Sequence, residues 1–197
     1  MIKVRKYIVI TSLFMFLTVP MFFGLYLEYF TIKELNWLII IIIISSLFIL
    51  LILGNLIEIF GYDQKIVEVM RKNDVIYAFI NRDNKLLIWF FFPIIIITEE
   101  LIFRYYTIGF LVYTLKLELI VVLFFSSLFF SIYHIHIWFR YKNLRLLLIN
   151  LGYPFLLGLY IGYIFLKLGI IPCIVIHYAI ALYSYYYIYR RYFRNND

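Results

Sequence analysis

Six stretches of about twenty apolar residues each leave this chain few choices of fold. They run over roughly 7–30, 37–60, 86–106, 117–139, 145–167 and 170–190. Each matches the about 20 residues a helix needs to cross a hydrocarbon layer. In lipid every backbone N–H and C=O must be satisfied internally, so such stretches can only be helices or strands of a closed barrel. Runs this long without alternating polarity read as helices. With 66% hydrophobic residues in 197, a soluble domain could not hide the apolar surface. The expected fold is therefore all-α, a polytopic transmembrane bundle of about six spans. Many of the 20 tyrosines lie near the ends of the apolar runs, as interfacial belts do.

The first stretch has a basic flank, Lys3, Arg5 and Lys6, but no small-residue cleavage site, and it is long for a signal peptide. It is read as a retained helix, kinked at Pro20. The second carries Asn55 and Glu58 near its far end. Residues 61–85 form the longest polar connection. There Ile66, Val67, Val69, Met70, Val75, Ile76, Phe79 and Ile80 recur between charges at roughly helical spacing, the pattern of a cytoplasmic amphipathic segment lying on a membrane. Its acids are interspersed with its bases, and the net charge of +7 is better explained by topology than by nucleic acid. A single cysteine, Cys173, excludes an intrachain disulfide and a thiolate metal cluster.

Residues 99–104 stand out within the third stretch. Two adjacent carboxylates, Glu99 and Glu100, and an arginine, Arg104, are costly inside a membrane and mark a functional site by default. On a helix Glu100 and Arg104 are i and i+4 and can pair. Glu99 is turned about 100° away and is left for chemistry. A structural ion pair docking two helices would need one acid, which leaves the second unexplained.

All three histidines follow in the later stretches. On a continuous helix His134 and His136 would point about 200° apart, so both cannot face one site. His134 shares its face with Ser127, Phe130 and Ser131 and looks inward, whereas His136, beside Trp138 and Arg140, is expected at the interface. The same argument disfavours a His-x-His metal site. Pro172 places the start of the last helix and hence the face of His177. Gly158-Leu-Tyr-Ile-Gly162 permits close helix approach. A carboxylate and an imidazole can activate water, and a further imidazole can donate to the oxyanion formed at an amide carbon. This inventory fits hydrolysis inside a membrane.

The ordered set Glu99-Glu100-x-x-x-Arg104, Phe130-x-x-x-His134 and His177 resembles the CPBP intramembrane proteases, which include the CAAX prenyl endopeptidases and the bacteriocin-processing or Abi proteins. The flanking stretches 124–134 and 157–177 read like that family's second and third motifs, and the likeness covers residues 86–182. It divides the chain into a two-span region with its amphipathic connection (1–85), a CPBP-like catalytic core (86–190) and a basic cytoplasmic tail (191–197). It implies an endopeptidase of a multi-pass cell-membrane protein, cutting near the C-terminus of a membrane-attached or prenylated CaaX-type peptide or lipidated protein. In it Glu99 would be the general base, His134 would hold the water, His177 would stabilise the oxyanion, and Glu100, Arg104 and Phe130 would support them. The family usually has Asn or Asp four residues after the last histidine. Ala181 occupies that place here, and loss of one such donor commonly costs about 100- to 1,000-fold in rate. A slow enzyme, a substitute donor such as Asn150, and a non-catalytic scaffold or bacteriocin-immunity-type binding protein are the alternatives that follow.

Direct water activation is favoured over a metal, although Glu99, His134 and His177 could supply three zinc ligands. A proton-coupled transporter is disfavoured because no inverted repeat is visible. For His134 to meet Glu99, the fourth span must run past Phe139 toward Tyr141, or the third must start in the cytosol, or the helices must tilt.

With six spans, fourteen of the eighteen Lys and Arg residues fall on the side of the termini and only Lys33, Lys116 and Lys167 on the other. That bias places both termini in the cytoplasm. Tags at either end are expected to resist protease added from outside; digestion of a C-terminal tag would contradict this topology.

Overall fold

The computed structural model describes residues 2–62, 66, 70, 75, 77, 78 and 86–194. Helix α1 (Ile2–Phe22) ends eight residues before the span expected from the sequence. Pro20 lies in its last turn and terminates the helix rather than kinking its middle. The Pro20 carbonyl accepts from the N–H groups of Phe23 and Leu25. Gly24 (φ 88°) and Tyr26 (φ 56°) then turn the chain into a short 3₁₀ helix, Leu27–Phe30. Helix α2 (Trp37–Gly61) starts at Asn36, whose side chain accepts from the Ile39 N–H at 2.9 Å, an N-cap that satisfies one of the free donors of the first turn.

Helix α3 occupies residues 87–114 and changes pitch repeatedly. π turns at Leu87–Phe91, Leu101–Tyr106 and Phe110–Thr114 alternate with α-helix at Phe92–Glu100 and Thr107–Gly109. Its α-helical backbone angles run through every junction. At about 1.5 Å per residue it is roughly 40 Å long, enough to cross a bilayer. Helix α4 (Leu119–Tyr133) stops at His134, and α5 (His136–Tyr141) continues after a one-turn break. Lys142, at φ 51°, ends α5. Asn143 caps α6 (Leu144–Leu168) through the Leu146 N–H at 2.9 Å, and α7 (Ile170–Arg194) follows after Gly169 alone.

Five stretches are long and apolar enough to cross a membrane: Arg5–Phe22, Trp37–Gly61, Leu119–Tyr141, Leu144–Leu168 and Ile170–Arg190. With α3 as a sixth rod, the protein is a helical membrane bundle, and no strand occurs among the described residues. The fourth span reaches Tyr141, the first of the three arrangements considered for bringing His134 toward Glu99. Of the expected amphipathic segment beyond Tyr62, Ile66, Met70, Val75, Tyr77 and Ala78 are described and helical; its other residues from 63 to 85, and the end of the basic tail at 195–197, lie outside the described set. Ile66 and Met70 are buried with Leu146 and Ile188, and Val75 and Ala78 with Tyr7, Leu87, Phe92 and Ile96, so these four residues pack on the bundle.

The bundle is held by close approaches and by hydroxyls. Helix α6 lies chiefly against α4 and also touches α2 and α7. The GxxxG step makes the α4 contact possible: a Cβ on Gly158 would lie 3.0 Å from the Ser127 Cα, and one on Gly162 would lie 2.8 Å from Leu123 Cδ2. Gly169 (φ 83°) turns α6 into α7 where a Cβ would come 2.4 Å from the Tyr29 carbonyl, so only glycine fits. The Lys33 and Glu34 N–H groups both donate to the Lys167 carbonyl there, and Lys167 pairs with Glu34. Hydroxyls reach across helices to backbone carbonyls, Ser131 to Leu151 at 2.7 Å, Tyr105 to Leu25 and Tyr106 to Leu17. Water is not available for these groups in lipid.

The glycine contacts give a paired expectation. Gly158→Leu should destabilise the bundle by about 1–3 kcal/mol through overpacking against α4. Gly152→Ala, where a Cβ would meet nothing within 4 Å, should be neutral or stabilising. Detergent unfolding midpoints of the two variants check it; equal losses would contradict a tight α4–α6 seam.

Candidate functional site

The site forms where α3, α4 and α7 meet. Glu100 and Arg104, one turn apart on α3, are completely buried. Arg104 Nε lies 3.4 Å from Glu100 Oε2. The other carboxylate oxygen, Oε1, accepts from His177 Nδ1 at 2.6 Å. Glu100 therefore bridges a cation on its own helix and an imidazole on α7. Arg104 is also placed by a ring: its Cζ stands 4.3 Å from the centroid of Phe130 on α4, a cation–π contact.

Phe130 connects the rest. Its buried ring packs edge-on against Phe103 at 5.4 Å, His134 at 5.0 Å and His177 at 5.6 Å. His134 caps α4 and donates from Nδ1 to the Phe130 carbonyl at 2.8 Å. That bond leaves Nε2 as the unprotonated nitrogen of the neutral ring, able to accept a proton from water.

The local sequence explains these placements. The π turn Leu101–Tyr106 carries Arg104, and π turns disturb regular carbonyl pairing. Two hydroxyls meet the carbonyls concerned: Ser126 donates to Phe103 at 2.6 Å and Thr107 to Ile102 at 2.7 Å. Ser126 thereby ties α4 to the π turn and sets the height of Phe130 beside Arg104. As expected, Ser127, Phe130 and Ser131 are buried on the inner face of α4.

Glu99 stands apart from this interlock. It is partly exposed and makes no hydrogen bond or ion pair to any described residue. Glu100 is thus the glutamate paired with the arginine, and Glu99 the one outside the pair.

One expectation looks different in the structure. His134 and His136 do not point to opposite sides, because α4 breaks between them; their ring centroids are 6.1 Å apart. His136 is exposed and donates from Nδ1 to the Tyr133 carbonyl at 2.9 Å. Asn150, the substitute donor considered above, gives one amide hydrogen to the Leu146 carbonyl of its own helix at 2.8 Å. Ala181 packs with Tyr178 and Leu182 against the cluster of Tyr7, Phe92 and Ile96.

The donor set does not gather for a metal. Among the described residues no group of three His, Cys, Asp or Glu side chains comes together as a metal site.

A family model described as Type II CAAX prenyl endopeptidase Rce1-like matches residues 81–183, just over half of the chain. No curated protein and no solved structure matches it.

The buried Glu100–Arg104 pair yields a stability test. Arg104→Met strands a carboxylate in the bundle and should cost about 3–5 kcal/mol. Adding Glu100→Gln should recover part of that loss. A detergent unfolding cycle measures the coupling, and strictly additive losses would show that the two residues do not act as a pair.

Proposed function

The chain belongs to the Rce1-like type II CAAX prenyl endopeptidase family, and from that premise we propose that it is an intramembrane endopeptidase working through glutamate- and histidine-activated water. The observation that carries this reading is the separation of the two adjacent glutamates. Glu100 is committed to Arg104 and His177, while Glu99 is unpaired, partly exposed and on the same helix one residue away.

In this reading a water molecule is held between the Glu99 carboxylate and His134 Nε2. Glu99 takes the proton as the water oxygen attacks the scissile carbonyl, and later passes it to the leaving amine. The Phe130 carbonyl keeps His134 in the tautomer that accepts at Nε2. Glu100 orients His177 as a carboxylate orients the imidazole of a catalytic triad. A donor role for His177 at the oxyanion requires a second ring proton on Nε2, and Glu100 is the counterion such an imidazolium needs. Phe130 fixes the distances among Arg104, His134 and His177 with a single rigid ring. The substrate we infer is a peptide held at the membrane near its C-terminus, prenylated or otherwise lipidated, because the reacting groups lie within apolar helices and not on a polar domain.

One observation favours a second reading, a non-catalytic membrane scaffold or immunity-type binding protein: Ala181 supplies no donor where the family resemblance implies an Asn or Asp.

Cleavage of a quenched farnesylated CaaX-type peptide by detergent-purified protein separates the two. The protease reading expects turnover by wild type and a loss of about 10²- to 10⁴-fold in Glu99→Ala, the size of effect that removing a general base produces. Cleavage that survives Glu99→Ala would refute the assigned base, and no cleavage of any lipidated or plain peptide would favour the scaffold.

A further inference from the structure

When water attacks an amide carbonyl, the oxygen becomes an anion, and donors aimed at it are commonly the largest single contribution to rate. Most donors around Glu99, His134 and His177 are already in use. The Thr98 hydroxyl donates to the Ile94 carbonyl at 2.6 Å and that of Ser131 to Leu151. Tyr178 turns its ring onto Phe92, 5.5 Å away, in the apolar cluster that also holds Ala181. Arg104 has no hydrogen bond from any guanidinium nitrogen, but it is completely buried behind Phe130 and presents nothing to an incoming peptide.

Tyr133 is different. It is the last residue of α4, immediately before the break at His134, and it is 46% exposed. Its ring lies 5.4 Å from His134, edge-on, and 5.5 Å from Phe103, which is one helical turn from Glu99 on α3. The phenol is thus held between the face of α3 that carries Glu99 and the histidine that would hold the water. Its hydroxyl makes no hydrogen bond to any described residue.

We propose that Tyr133 is a catalytic residue of this chain, its phenolic O–H donating to the oxyanion that forms when water adds to the scissile carbonyl. This rests on the protease reading above. Water oxygen bonds to the carbonyl carbon and its proton goes to Glu99. The carbonyl π electrons move onto the oxygen, which accepts the Tyr133 hydrogen bond without taking the proton. The C–N bond then breaks as Glu99 returns the proton to the amine.

The test compares Tyr133→Phe with wild type on the quenched farnesylated peptide, with Glu99→Ala alongside. Phenylalanine keeps the ring contacts with His134 and Phe103 and removes only the donor, so the unfolding midpoint should not move. The expected result is a fall in kcat of about 100- to 1,000-fold with KM within a few-fold. A Tyr133→Phe enzyme as fast as wild type, while Glu99→Ala is inactive, overturns the proposal and leaves the protease reading standing. Activity that survives Glu99→Ala overturns the reading itself. Binding gives a second measurement that needs no turnover. A peptidyl phosphonate, whose tetrahedral anionic group mimics the oxyanion, should bind Tyr133→Phe at least about ten-fold more weakly than wild type, while the parent peptide binds both alike. Equal effects on phosphonate and peptide would assign Tyr133 to ground-state contact and overturn its oxyanion role. A wild type that neither cleaves nor prefers the phosphonate would remove both the proposal and the reading beneath it.

Discussion

The carboxylate of Glu100 is the group on which the interior of this bundle depends. It is fully buried, and one oxygen faces Arg104 while the other holds His177. An isolated charge in such a place would be too costly to keep, and two opposite charges offset one another only at close range. The pairing therefore dictates helix positions: α3 must present Glu100 and Arg104 on one face, and α7 must bring His177 to within hydrogen-bonding distance. Helix α4 completes the arrangement with Phe130, whose ring face meets the guanidinium and whose edges meet both imidazoles. An aromatic ring suits that place because it is rigid, apolar to the bundle and electrostatically attractive to a cation.

The irregularity of α3 belongs to the same arrangement. A long helix with three π turns gives up regular backbone bonding in a medium without water. The bundle compensates with side-chain hydroxyls, Ser126 to Phe103 and Thr107 to Ile102 in particular. The small residues Gly158 and Gly162 bring α6 onto α4 and so support the wall that carries Phe130 and His134. The tight turn at Gly169 sets where α7 starts, and with Pro172 it sets the height of His177. Stability and the candidate chemistry thus share their elements, since the seams that hold the helices together are also what align the polar groups.

Much of this could be read from residues alone. Apolar run lengths gave the spans, because a bilayer has a fixed thickness, and the i, i+4 spacing of Glu100 and Arg104 gave the pair. The inward face of Ser127, Phe130 and Ser131 followed from helical periodicity and is buried in the fold. Where the reading went astray, local backbone departed from the ideal helix. Pro20 ended α1 instead of bending it, since the following Gly24 and Tyr26 adopt positive φ. The break after Tyr133 brought His134 and His136 to one side, which a uniform 100° per residue could not anticipate. Nothing in spacing marked Tyr133, whose place beside both His134 and Phe103 exists only once α3 and α4 are packed.

The amino-acid sequence by itself determined that this is a helical membrane protein with a surplus glutamate beside an ion pair, because the cost of burying charge and the length of a spanning helix are local properties that spacing reveals. Which partner each of those groups takes was decided by tertiary structure. That His177 goes to Glu100, that Phe130 joins Arg104 to two histidines, and that Glu99 is left unpaired depend on the crossing of helices that are remote in sequence. Those crossings are set by glycine contacts and by hydroxyl-to-carbonyl bonds between helices, which no helix taken alone possesses.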